Sequence, residues 1–174
     1  MAPKITLRAL ELRDAPLMLE WMHDSDVVRD LRANFAAKTL DDCLSFIEKS
    51  KETARELNLA VADESGEYMG TVSLKNINRE AGSAELAIVV RACAMGRGFS
   101  APAMKEIIRI GLCELGLEKV YWCVSADNKR AVRFYDKNNW RRISSPPAET
   151  RGYTEEQLRS YIWYAAERQE GDRG

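Results

Sequence analysis

The run Val90-Arg91-Ala92-Cys93-Ala94-Met95-Gly96-Arg97-Gly98-Phe99-Ser100-Ala101 joins an apolar strand pattern to an amphipathic helix through a turn of small residues. No other segment restricts the fold as much. A helix start leaves its first N–H groups without intrahelical partners and carries partial positive charge, so it attracts an anion that can approach the backbone. Gly96 and Gly98 permit that approach because neither carries a Cβ and both accept positive φ. Ser100 is expected to cap the helix, and Pro102 suits its first turn. The same Gly-x-Gly also fits plain turn chemistry. It is not a dinucleotide fingerprint, which needs a third glycine inside a strand-helix-strand unit, nor a P-loop, since no Gly-Lys-Ser/Thr follows.

Periodicity places this junction in a mixed α/β chain. Ile5–Leu10 alternates like a half-buried strand, and Asp14 with Pro16 opens a helix whose apolar residues run from Leu17 to Met22. A short helix over 26–31 follows. Thr39 and Asp42 form a capping-box variant before Leu44, Ile47 and Ala54. Leu57–Ala62 and Tyr68–Lys75 form a hairpin around Glu64-Ser65-Gly66-Glu67. Ser83–Val90 resembles a buried strand with one acid, Glu85.

Beyond the glycine turn, Met104, Ile107, Ile108, Gly111, Leu112 and Leu115 share a helix stripe that Gly116 stops. Lys119–Ser125 is a strand and Asn128 caps a helix ending near Asn138. Ser144-Ser145-Pro146-Pro147 is a loop, Thr154–Arg159 a short helix or turn, and Tyr161–Tyr164 a closing strand. At 174 residues the pattern predicts one domain over 1–174, with its core at about 5–166 and a frayed tail over 167–174.

Charge and cysteine usage remove several function classes. With 26 Lys+Arg against 27 Asp+Glu, no global basic field draws the chain to nucleic acid or anionic lipid. Arg130, Arg133, Arg141 and Arg142 are a local cluster, not a basic face. Cys43, Cys93, Cys113 and Cys123 lack C-x-x-C spacing and His23 is the single histidine, which argues against a metal site. No signal peptide or long apolar run is visible, so a cytoplasmic location without membrane contact is expected. His23 stands in Trp-Met-His-Asp-Ser at a helix end, where a surface or capping role outweighs catalysis.

A hairpin, a strand ending in Gly-x-Gly, a helix, another strand, and then Asn128-x-x-Ala131-x-x-Phe134-Tyr135-x-x-x-x-Trp140 occur in that order. This series resembles the GCN5-related N-acetyltransferase (GNAT) superfamily from Ile5 to Tyr164. Leu7-Arg8-Ala9-Leu10 with Asp14 and Trp21 is similar to its ribosomal-protein-alanine and polyamine acetyltransferase branch. The resemblance implies an α/β (α+β) acyl-CoA acyltransferase fold, with a mixed, mostly antiparallel sheet flanked by helices. It implies acetyl-CoA as co-substrate, with its pyrophosphate on the turn Met95, Gly96, Arg97, Gly98, Phe99 and Ser100. Met95 replaces the family's polar residue and Ser100 its Gly or Ala. Asn139-Trp140 replaces Gly-Phe, a change that Asn tolerates in a left-handed C-cap.

The resemblance also implies roles. The strand through Ile88, Val89 and Val90 would bind the pantetheine arm and offer an N–H near Ile88 to the oxyanion. Asn128 and Ala131 would lie near the coenzyme. Tyr135 would be the general acid for direct attack, its alternative being a core tyrosine. Glu85 is the candidate base, because an acid in an apolar strand is costly unless paired, hydrated or functional. An exposed acid on an edge strand is the other reading. Trp21, Asp24, Asp26, Phe35, Tyr153 and Trp163 are candidate acceptor-pocket residues. The expected reaction is acetyl transfer to a primary amine, with a protein N-terminus first and a polyamine or amino sugar as alternatives. A non-catalytic acyl-CoA sensor module is the competing class, and a homodimer is compatible with either.

Overall fold

The computed structural model of the chain describes residues 2–51 and 54–172. Its strands are β1 (Thr6–Ala9), β2 (Leu57–Ala62), β3 (Tyr68–Asn78), β4 (Ser83–Val90), β5 (Lys119–Ser125), β6 (Arg141–Ile143) and β7 (Tyr161–Glu167). Its helices are α1 (Ala15–Met22), α2 (Ser25–Val28), α3 (Leu40–Lys49), α4 (Ser100–Arg109), α5 (Lys129–Lys137) and α6 (Glu155–Ser160). The strands are ordered β1-β2-β3-β4-β5-β7-β6. Pairing is antiparallel at β1/β2, β5/β7 and β6/β7 and parallel at β4/β5, the mixed sheet expected from the sequence. No described helix is long and apolar enough to cross a membrane. Two compact units are distinguishable, Met1–Ser73 with Ile88–Ile107 and Leu74–Ala87 with Ile108–Gly174.

In the first unit α1 and α3 cover an aliphatic core. Ala15, Met18, Trp21 and Met22 recur on the inner face of α1 and meet Cys43 and Ile47 of α3, with Ala60 and Tyr68 from the strands. Burying a side chain the size of Met18 or Ile47 contributes about 1.5–3 kcal/mol. The Thr39 capping box forms as expected: Asp42 N donates to Thr39 Oγ1 at 3.2 Å and Thr39 N to the Asp42 carboxylate at 2.8 Å. Helix α3 ends at Lys49, short of Ala54, and residues 52 and 53 lie outside the described range. Asp14 does not cap α1 with its side chain. Its carboxylate instead receives the fork of Arg8, 2.8 Å on each oxygen, and Glu11 N at 2.8 Å. A distant guanidinium therefore competes successfully with the helix start.

The second unit is aromatic. Val120, Trp122 and Val124 of β5 alternate with Tyr121, Cys123 and Ser125, so the strand feeds two faces. On one, Trp122 stacks on Tyr164 with centroids 5.9 Å apart and meets Trp140 edge-on at 5.3 Å. On the other, Tyr121 and Trp163 pack with Ile143, Tyr153 and Tyr161. Asn128 Oδ1 caps α5 by accepting Ala131 N at 3.1 Å. Asn139 takes the anticipated left-handed conformation, φ +60°. After α4 the chain widens into a π-turn over Ile110–Glu114. The tail is not frayed at its start: Glu167 pairs with Arg141 at 2.7 Å, and Arg168 N donates to Glu118 O at 2.9 Å.

Candidate active site

In the first unit β4 leads through a single 3₁₀ turn, Ala92–Ala94, into the glycine turn and then α4. Gly96 and Gly98 have φ of +74° and +87°, a region that other residues enter at a cost. Both glycines and Arg97 are exposed. Ser100 is the first residue of α4 and not its cap, so the cap position falls to Phe99. The N–H groups of Gly98, Phe99, Ser100 and Ala101 precede the first i→i−4 bond, which Ala103 donates to Phe99 O at 3.4 Å. Donors without a partner among the described residues, on an exposed, left-handed turn at the start of a ten-residue helix, fit a diphosphate.

The side chains of that turn do other work. Phe99 is buried, which leaves its main chain to face a ligand. The Arg97 guanidinium lies 5.6 Å from the Phe99 ring centroid and donates to Cys93 O at 3.2 Å. Met95 is half-buried, as are Ile88, Val89 and Val90. Trp21 is a core residue whose indole N–H donates to Tyr68 Oη at 2.9 Å and whose ring meets Phe35 edge-on at 5.0 Å. Asp24 caps α2 by accepting Asp26 N at 3.0 Å. His23 donates Nε2–H to Lys38 O at 2.7 Å, the surface role expected of it.

The second unit holds both candidate catalytic groups. Glu85 is 7% exposed. It stands at the last of three parallel pairs, Ser83↔Lys119, Ala84↔Val120 and Glu85↔Tyr121. Leu86 and Ala87 continue without pairing to β5, so a strand edge opens beside the carboxylate. The Glu85 carboxylate accepts the Tyr153 hydroxyl at Oε1 and Asn76 Nδ2 at 3.4 Å at Oε2. The Cys123 thiol in turn donates to Tyr153 Oη at 3.2 Å. Burial, then Cys123 and Glu85, push the Tyr153 phenol well above its ordinary range, so it remains a donor. No cation among the described residues pairs with Glu85.

Tyr135 is buried against Trp122, Phe134 and Tyr164, with centroids 5.9, 5.4 and 5.0 Å away. Burial raises its pKa far above that of a free phenol, with smaller contributions from Cys123 and Tyr164. No hydrogen bond to its hydroxyl is found among the described residues. Ala131 is half-buried, and Trp163 is a core residue whose N–H donates to Leu158 O at 3.2 Å. The sequence did not indicate Asn76 or Cys123. Asn76 has φ +50°, but nothing local links it to a carboxylate nine positions away.

A family model described as Acetyltransferase (GNAT) domain matches residues 4–141. Spermidine N(1)-acetyltransferase of Vibrio cholerae serotype O1 is 26% identical over 140 residues, covering 79% of each chain. An uncharacterized N-acetyltransferase of Bacillus licheniformis is 23% identical over 133 residues, covering 75% of each. The fold is also that of a crystal structure of the Vibrio cholerae spermidine N-acetyltransferase in complex with CoA and spermine. That likeness has a TM-score of 0.77, 20% identity, and coverage of 94% of this chain and 95% of the other. With the family match spanning most of its length, and with a turn that suits a diphosphate, this chain belongs to the GNAT acetyltransferase family, as an N-acetyltransferase that uses acetyl-CoA.

Proposed function

We propose that the chain acetylates a primary amine of a polyamine, and that residues 1–174 act as one catalytic domain. The observation that carries the acceptor class is Glu85: a buried carboxylate with hydrogen bonds but no cation attracts an ammonium group. The relatedness to a spermidine N(1)-acetyltransferase supports the same reading. It favours the polyamine over the protein N-terminus that the opening segment placed first.

Main-chain donors of Met95–Ser100 bind the pyrophosphate, and the backbone of Ile88–Val90 binds the pantetheine arm. The bound ammonium first gives one proton to solvent by way of Glu85; the neutral amine then attacks the thioester carbonyl carbon, and the C–S bond breaks as the tetrahedral intermediate collapses. Tyr135 gives its proton to the leaving sulfur and is reprotonated from solvent. The proton released by the nitrogen passes to Glu85, directly or through water. A phenol kept protonated by burial suits this acid role at neutral pH. Tyr153 orients the carboxylate, and Asn128 with Ala131 sets the start of the helix bearing Tyr135. One structure of the Vibrio cholerae enzyme is dodecameric, and association of this chain into at least a homodimer is part of the reading.

The test is acetyl transfer from acetyl-CoA to spermidine, an alanine-terminated peptide and glucosamine, followed by CoA release and product mass. Spermidine should give the highest kcat/KM, and Glu85→Gln should lower it at least about tenfold. Faster acetylation of the peptide would overturn the polyamine assignment. CoA binding without transfer to any amine would identify a sensor module instead.

A further inference from the structure

The glycine turn has a fixed origin. Arg91, the residue between β4 and the 3₁₀ turn, donates its main-chain N–H to Met69 O at 2.8 Å. Its carbonyl accepts Ala94 N at 2.9 Å and Met95 N at 3.2 Å. Its side chain is 10% exposed. Nε and Nη2 form a fork on Glu20, 2.9 and 3.1 Å from the two carboxylate oxygens. Nη1 donates to Glu67 Oε1 at 2.8 Å and to Tyr68 O at 3.1 Å. One residue thus ties α1, the β2–β3 turn and two consecutive carbonyls of β3 to the first bonds of the phosphate turn.

Four of the five N–H donors of this guanidinium are already committed within the fold. Two carboxylates balance its charge and hold its pKa above its ordinary value, Glu20 first. Its geometric demand is planar and bidentate, which lysine cannot meet. Gly70 makes the arrangement possible: a Cβ there would lie 2.4 Å from Val89 O and 2.9 Å from Val90 Cα. The end of β4 therefore lies tight against β3, and Arg91 leaves it at a set height and direction.

We propose that Arg91 is a positioning residue for the coenzyme: without touching it, Arg91 presets the Met95–Ser100 turn so that its N–H groups are ordered before acetyl-CoA arrives. Preorganisation of this kind raises affinity by removing an ordering cost from the binding step. The inference rests on the reading of that turn as the pyrophosphate site.

The experiment is isothermal titration of the full chain with CoA, together with steady-state kinetics, for Arg91→Lys and Arg91→Met. Losing one charge-assisted anchor should raise the Kd for CoA and the KM for acetyl-CoA roughly tenfold, more in Arg91→Met than in Arg91→Lys. The amine KM and the kcat at saturating acetyl-CoA should stay within about twofold, a split that general loss of structure would not give. If Arg91→Met does not fold, the Glu20→Gln, Glu67→Gln double variant, which keeps the Tyr68 O bond, should still raise the Kd about threefold. A Kd within twofold of the wild type in the folded variants, whatever their melting temperature, would overturn the proposal. Gly98→Asp separates the two failures. If it too leaves the Kd unchanged, the turn is not the pyrophosphate site; if it abolishes binding while the Arg91 variants do not, only the positioning role falls.

Discussion

Tyr68 of the first unit and Tyr135 of the second are both buried, and the two hydroxyls meet opposite conditions. Tyr68 in the first unit accepts the Trp21 indole N–H at 2.9 Å and shares a 2.6 Å hydrogen bond with Thr71 Oγ1. Tyr135 in the second is enclosed by rings and has no hydrogen-bond partner among the described residues. Burial raises both pKa values far above that of a free phenol. A buried hydroxyl with partners stabilises a fold, whereas one without partners adds no hydrogen bond to it. The contrast sets Tyr68, whose hydroxyl is committed to the fold, against Tyr135, the proposed general acid.

The largest expected effect would break that contrast outright if it failed. Tyr135→Phe should lower kcat by about 10²–10⁴, the range for a lost general acid, while leaving the melting temperature unchanged or slightly raised. Turnover within threefold of the wild type would make Tyr135 a packing residue like its counterpart.

Alkaline pH tests what the two share. Both phenols stay protonated in the fold, whereas an unfolded tyrosine ionises near pH 10. Their stabilising contribution is therefore complete below about pH 10 and is lost as pH rises, at about 1.4 kcal/mol per pH unit for each. Urea melts at pH 9, 10 and 11 should show this slope, and either Tyr→Phe variant should reduce it by one phenol's share.

Tyr68→Phe sharpens the difference from the other side. Leaving Trp21 Nε1 and Thr71 without their partner should cost about 1–3 kcal/mol in a denaturant melt, with kcat close to wild type. Smaller still are the helix caps. Thr39→Ala and Asn128→Ala should each cost about 1 kcal/mol, but only Asn128→Ala should also raise the KM for acetyl-CoA. An equal KM in the two variants would confine Asn128 to capping.

What the sequence disclosed follows the range of the forces involved. Strand β4 over Ser83–Val90, strand β5 over Lys119–Ser125, the Thr39 capping box and the Asn128 cap were all readable, because periodicity and capping act within a few residues. Strand β6 was not anticipated: of Arg141, Arg142 and Ile143 only one is apolar, and the strand exists because β7 pairs with it. Asp14 looked like a cap because Arg8, which captures its carboxylate, comes from an earlier strand. The π-turn at Ile110–Glu114 lies inside an unbroken apolar stripe and leaves that pattern unchanged. In the candidate site, Glu85 and Tyr135 stood out by residue type and motif. Tyr153 was singled out only as an acceptor-pocket residue. Its bond to Glu85 joins positions 68 apart, a contact that only the tertiary fold creates.

The distribution of thiols has a practical consequence. Cys93 and Cys113 are exposed, Cys123 is partly exposed and Cys43 is buried, so a chromogenic disulfide reagent used to count released CoA will also titrate the exposed sulfhydryls of each enzyme molecule. Substituting serine at position 113 leaves Cys93 as the fast-reacting one, immediately upstream of the glycine turn proposed to hold the coenzyme. A fluorophore attached there would turn coenzyme occupancy into an optical signal.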